Sequence, residues 1–234
     1  MIVGSRFNGP PGSGNGGYTA GLVAVEVAAA KLAGIEHGIE VTLRLPPPLD
    51  TPLTVQPVLA DGGEEPTGLR VFAGPDLVAE AKPAMVGPDD VAPPVSHAEA
   101  VAAAANYRGL ISHPFPTCFV CGPARAPGDG LRLSPGRLAD QRTAAPFTAP
   151  AEVGVALMWA CLDCPGGWAA PLESRDYVLG RIAARVDALP AAGDECVVVG
   201  QCTGEAGRKA FVRSTLYGPS GALLATARAT WIAR

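Results

Sequence analysis

Four groups of residues in this chain are of types and spacings that could do chemistry. Asn15-Gly16-Gly17 opens a run that reads as helix, so Gly16 and Gly17 can present backbone N–H groups that no preceding carbonyl satisfies. Such donors, with the helix dipole behind them, suit an anion or an oxygen on which charge develops. Asp163 lies in a second apolar run, where a carboxylate can serve as nucleophile or as general base for water. The pairs Cys118/Cys121 and Cys161/Cys164 both have Cys-x-x-Cys spacing. That spacing admits a four-cysteine zinc site, although the second pair sits in an apolar helix, where buried free thiols are the default reading. Gly12-Ser13-Gly14-Asn15-Gly16-Gly17 also satisfies G-x-G-x-x-G. Pro10-Pro11 separates it from any strand, and the following strand, Ile39–Leu45, ends in Arg44-Leu45 rather than an acid. A dinucleotide site is therefore disfavoured.

The elements that must position these groups fall into two similar series. In the first half the apolar run Tyr18 to Leu32 reads as a buried helix ending near Gly34, after a short strand at Ile2–Phe7 and a Gly/Pro-rich loop. Strands are expected at Ile39–Leu45, Leu53–Ala60, Gly68–Phe72 and Leu77–Met85, with turns at Pro46-Pro47-Pro48, Asp61-Gly62-Gly63 and Gly74-Pro75. Pro93-Pro94 stops this series. Ser96 and Glu99 then form a capping-box pair that starts a short connecting helix running to Asn106. In the second half strands near Leu131–Leu133 and Thr143–Phe147 precede a helix from about Glu152 to Cys164, with continuation to Ala170 left open. Strands follow at Tyr177–Val186, Glu195–Thr203, Ala210–Tyr217 and Ala222–Ile232. The order of one helix and then several strands occurs twice. Gly74-Pro75 with Val78-Ala79-Glu80-Ala81-Lys82 parallels Gly218-Pro219 with Leu224-Ala225-Thr226-Ala227-Arg228, which points to duplication.

Composition narrows the partners. Of the 234 residues 48% are hydrophobic and 17% charged, and the net charge is −4, with no basic run to meet nucleic acid or an anionic membrane. The longest apolar helix candidate, Tyr18–Ala33, contains Glu26 and Lys31 and is too short to cross a bilayer. The start Met1-Ile2-Val3-Gly4-Ser5-Arg6 does not read as a signal peptide, and the expectation is a soluble cytoplasmic protein with reduced cysteines.

At this level the chain resembles the hotdog-fold acyl-CoA thioesterases. Leu162-Asp163-Cys164-Pro165-Gly166-Gly167-Trp168-Ala169 is similar to the acid-bearing helix string of their phenylacetyl-CoA-type branch. Asn15-Gly16-Gly17 is similar to the His-Gly-Gly that opens the helix there, with Asn for His. Cys118-Phe119-Val120-Cys121-Gly122, followed by Gly130-Leu131, resembles a stretch before the first main strand of many such enzymes. In the family the acid stands nine residues after the His. Here that position holds Ala24, and nine residues before Asp163 stands Gly154, so each half keeps the part that the other lacks.

The resemblance implies an α+β double hotdog, two long central helices each wrapped by an antiparallel sheet, with an N-terminal unit over 1–92, a linker over 93–117 and a C-terminal unit over 118–234. It implies one acyl-thioester site shared between the halves. Asp163 would be base or nucleophile, Asn15, Gly16 and Gly17 would supply donors, and Asn8, Trp159 and Trp168 would contact substrate. No metal or organic cofactor is required, since coenzyme A enters as part of the acyl-CoA substrate, and a homodimer is compatible with the family. Two departures, Asn15 for His and Pro165 after the acid, leave open a second function: a hotdog that binds acyl-CoA or another ligand without turning it over. A serine hydrolase is disfavoured, since no G-x-S-x-G exists and His37, His97 and His113 lack a triad context. A hotdog hydratase is disfavoured too, because no suitable Asp/His pair is seen.

Overall fold

The computed structural model describes residues 1–32, 34–60, 63–171 and 176–234. Ala33 of the expected apolar run and Asp61-Gly62 of the expected turn lie outside the described residues. The first helix, α1, spans Gly16–Ala29 and is followed by β1 (Ile39–Leu43), β2 (Thr54–Leu59), β3 (Pro66–Ala73) and β4 (Asp76–Pro83). After α2 (His97–Ala104) come β5 (Gly136–Arg137), β6 (Thr143–Thr148), α3 (Val155–Ala169), β7 (Tyr177–Val186), β8 (Glu195–Ala206), β9 (Lys209–Tyr217) and β10 (Leu223–Ala233).

Every ladder is antiparallel, and the strands form one sheet in the order β2-β3-β4-β1-β7-β10-β9-β8-β6-β5. The expectation of a separate sheet around each helix is thus corrected to one continuous sheet. The two halves meet edge to edge where β1 pairs with β7, with Val41 opposite Ile182. Reading outward from that junction, β1-β4-β3-β2 mirrors β7-β10-β9-β8, so the similarity of the Gly74-Pro75 and Gly218-Pro219 segments corresponds to a repeated pairing order.

Helices α1 and α3, of 14 and 15 residues, pack on each other and on the same sheet face. Their approach is set by missing side chains. A Cβ on Gly17 would stand 2.4 Å from Asp163 Cβ, and one on Gly21, a turn later, 2.5 Å from Ala156 Cα. As α1 advances its contacts run backward along α3, so the two helices are antiparallel. Helix α1 ends where Lys31 turns left-handed at φ 54°.

Helix α3 continues through Pro165, where the sequence suggests a break. A proline inside a helix forfeits one hydrogen bond and costs about 3 kcal/mol, but burial offsets that cost. The Thr143 hydroxyl donates to Pro165 O at 2.6 Å, while Gly166 lies against Val212 and Ser214 and Gly167 against the Trp231 ring.

The connecting helix has the expected capping box, with Ser96 N–H donating to Glu99 Oε2 at 2.9 Å and Glu99 N–H to Ser96 Oγ at 3.2 Å. It is more than a connector. Ala145, Val198 and Leu216 belong to the core beneath α1 and α3, whereas their chain neighbours Ala144, Val197, Val199 and Tyr217 pack with Ala100 and Ala103 of α2. Alternate strand residues face opposite ways, so α2 covers the other face of the sheet.

Two expected strands are not strands. Ser5–Phe7 is a 3-10 turn, with Ile2 bridging to Pro52. At Leu131–Leu133 the central Arg132 has φ 49°, and the N–H groups of Leu131 and Leu133 donate instead to the loop carbonyls of Phe119 and Val120.

Candidate active site

The helix start and the acid meet, although they stand 148 residues apart. Asn15 is the N-cap of α1: its Oδ1 accepts from Tyr18 N–H at 2.8 Å. That bond fixes which end of the amide is which, so Nδ2 points the other way and donates to Asp163 Oδ2 at 2.8 Å. Gly17 N–H donates to the same oxygen at 3.0 Å. Only glycine at position 17 lets the carboxyl come so close, for the reason given above. Asp163 is 2% exposed, and its Oδ1 has no hydrogen-bond partner among the described residues.

Burial pushes the Asp163 carboxyl up to about 7. The Gly17 and Asn15 donors oppose this shift, and the nearby Cys118 sulfur adds to it.

Beside the carboxyl opens a cleft of about 550 Å³, of a size usual for small-molecule sites. The Gly9–Gly14 loop and Pro46-Pro47 form one wall. Leu179, Trp168 and Trp231 form another, with Asn15, Gly16 and Asp163 at the side. Gly16 carries no side chain because a Cβ would stand 2.9 Å from Leu179 Cδ2. Its N–H is the first of α1, one of those that no intrahelical carbonyl can serve.

The donors expected for an oxyanion are therefore divided. Gly17 N–H and the Asn15 amide are spent on the carboxyl, and among the described residues Gly16 N–H is the donor that remains at the helix start. Asn8 does not line the cleft: its Nδ2 donates to Thr117 Oγ1 at 3.2 Å, and its Oδ1 accepts from Arg125. It joins the two halves of the chain instead of facing substrate. Trp159 is also away from the cleft, buried at the contact of α1 with α3, whereas Trp168 lines it.

Residues outside the expected thioester machinery gather here as well, three of them from the two Cys-x-x-Cys pairs. Cys118, Cys121, Cys164 and His113 line the cleft. The Cys118 thiol is held well below its usual range because Cys121 and Cys164 donate to it. His113 is kept below its ordinary value by burial. All six cysteines are free thiols. The four-cysteine grouping does not form. Cys161 lies outside the cluster of the other three, and burial pushes its thiol up. The signal for the smaller cluster was present in His113 and Cys118-x-x-Cys121, but only the fold adds Cys164.

No protein-family model matches the chain, and no curated protein matches it in sequence. Solved structures do match in three dimensions. A candidate thioesterase from Novosphingobium aromaticivorans DSM 12444 superposes with a TM-score of 0.63 at 18% identity, over 100% of this chain and 94% of that one. The tesB protein of Mycobacterium avium subspecies paratuberculosis gives 0.59 at 14% identity, over 97% and 89%. A hot dog fold protein of unknown function from Alicyclobacillus acidocaldarius gives 0.58 at 14% identity, over 98% and 90%. With the antiparallel sheet and its packed helices, these likenesses establish that the chain has a hotdog fold.

Proposed function

We propose that this chain is a double hotdog, with units over 1–92 and 118–234, that hydrolyses an acyl thioester, with acyl-CoA as the substrate class. The observation that carries the reading is Asp163 itself: a buried carboxyl at a cleft, clamped through Oδ2 by the start of the partner helix and with Oδ1 unpartnered among the described residues. Two of the structural neighbours carry thioesterase or tesB names, which supports the same chemistry.

In this reading the thioester carbonyl is received at the start of α1, where Gly16 N–H and the helix dipole stabilise the developing oxyanion. Oδ1 of the ionised Asp163 either removes a proton from water as the water attacks, or attacks the carbonyl directly. In the first route water adds to the carbonyl carbon, the C–S bond breaks, and the proton passes to the departing thiolate. The Asn15 and Gly17 donors hold the carboxylate still. Residues of both halves form the site, so one chain carries one site. The reaction requires no cofactor, and the cytoplasm, where acyl-CoA is made and used, is the compartment that fits.

One specific observation favours the second reading, a hotdog that binds its ligand without turnover. Two of the three donors expected to hold an oxyanion, the Asn15 amide and Gly17 N–H, are already spent on Asp163. The experiment is incubation with acyl-CoAs of varied chain length and aryl character, with free CoA measured by chromatography, because a thiol reagent would also read the cysteines. The expected result is CoA release by the wild type and a loss of about 10²–10⁴-fold in Asp163→Asn. Saturable binding without release would establish the binder, and equal activity in Asp163→Asn would remove the aspartate from the mechanism.

A further inference from the structure

Three cysteines from two distant elements converge at one point. Cys118 and Cys121 come from the loop beyond α2 and Cys164 from α3, and their sulfurs all lie within 4.8 Å of one another. The Cys118 and Cys164 sulfurs are 3.9 Å apart. Thiolates bound to one tetrahedral zinc ion at about 2.3 Å stand roughly 3.8 Å from each other, whereas a disulfide needs about 2.05 Å. The Cys118–Cys164 spacing matches that of ligands sharing an ion, and the third sulfur lies within reach of the same point.

The loop is built to hold this spacing. Gly122 N–H donates to Cys118 O at 2.9 Å, and a Cβ on Gly122 would stand 2.5 Å from Cys118 N. The Cys-x-x-Cys-Gly turn is therefore tight enough to aim both sulfurs at α3, and only glycine closes it.

N–H groups point at the sulfurs. Phe115 N–H donates to His113 Nδ1 at 2.9 Å, which leaves the ring proton on Nε2, and Nε2 stands 3.3 Å from Cys121 Sγ. Asn15 Nδ2 stands 3.8 Å from Cys118 Sγ. Thiols packed only as small hydrophobes have no need of such donors, whereas anionic thiolates around a metal are commonly supported by them.

We propose that Cys118, Cys121 and Cys164 bind a zinc-class divalent ion as thiolates, with the fourth coordination position facing the cleft and His113 supporting the Cys121 sulfur from outside. Soft sulfur donors select such an ion over magnesium or calcium. The ion would tie the 113–131 loop to α3, and with it Phe119, which packs edge-on against Tyr18 at the start of α1. This revises the expectation of plain buried thiols. It stands apart from the thioester reading, because its readout is metal binding and not CoA release.

The test uses the full chain, reduced and stripped with a chelator, then titrated with Co²⁺ and with Zn²⁺ in competition. The expected result is about one ion per chain, sulfur-to-cobalt charge-transfer absorption, and release of up to about three protons as the thiols ionise. Cys118→Ser, Cys121→Ser and Cys164→Ser should each weaken binding by about 100-fold or more, and His113→Phe by about 10–100-fold. Cys161→Ser should bind as wild type does. Absence of the charge-transfer band in the folded wild type would overturn the proposal, whether or not the serine variants fold. So would an equal loss in Cys161→Ser, or a Cys118–Cys164 disulfide found by peptide mapping of protein prepared without reductant.

Discussion

Asp163 is the residue on which burial and function pull in opposite directions. An aspartate of ordinary pKa 3.8 unfolded and about 7 folded carries a proton in the folded chain across the interval between them. Its folded value is the raised one. The associated stability is therefore complete below the unfolded pKa and is lost as pH climbs through the folded pKa. Three units correspond to something on the order of 4 kcal/mol. In reduced, chelated protein, Asp163→Asn should match wild type in urea unfolding near pH ~4 and exceed it by a few kcal/mol near pH ~8. A stability difference that does not change with pH would show that folding leaves the carboxyl's pKa unshifted. Removing the other partner tests the clamp: Asn15→Ala leaves Oδ2 with one donor and α1 without its cap, and should cost about 1–2 kcal/mol in the same measurement.

At the scale of elements, the contact of α1 with α3 depends on Gly17 and Gly21. Gly17→Ala places a methyl group 2.4 Å from Asp163 Cβ and 2.7 Å from Trp159 O, so backbone has to move. We expect a loss of about 1–3 kcal/mol in stability from overpacking. CoA release should fall as well, because the Gly17 N–H and the carboxyl are forced apart. Gly87→Ala is the control, since an added Cβ there meets nothing within 4 Å and the backbone is extended at φ −122°. Its stability should stay within about 0.5 kcal/mol of wild type. Equal losses in the two variants would mean that the helices do not depend on this close approach.

At the scale of the molecule, the β1–β7 ladder makes the two halves share one sheet, and the α1–α3 contact makes them share one core. The chain should therefore unfold in one cooperative transition. The three tryptophans, Trp159, Trp168 and Trp231, all lie in the second half, with Trp159 against α1, so their fluorescence reports that half and its contact with the first, whereas far-ultraviolet circular dichroism reports the secondary structure of both. Coincident denaturation curves are expected. Two resolved transitions, the first of them altering the Trp159 signal, would show that the first half melts independently.

The sequence by itself determined most of the elements. Apolar runs with a single acid each, Glu26 and Asp163, marked α1 and α3 as buried helices. Alternation and Gly-Pro turns marked β4, β7, β9 and β10, and Ser96 with Glu99 marked the start of α2. It also identified Asn15, Gly17 and Asp163 as residues that could act, because their types and their place in helices limit what they can do. The tertiary structure alone decided their use. Whether α3 survives Pro165 depends on Thr143 and the packing of Val212 and Trp231, which are remote in the chain. That Asn15 and Gly17 donate to Asp163, that Asn8 is occupied by Thr117 and Arg125, and that Cys164 joins Cys118 while Cys161 stays apart are all long-range facts. Local propensity acts over a few residues, whereas these outcomes depend on which surfaces a helix can reach once it is buried.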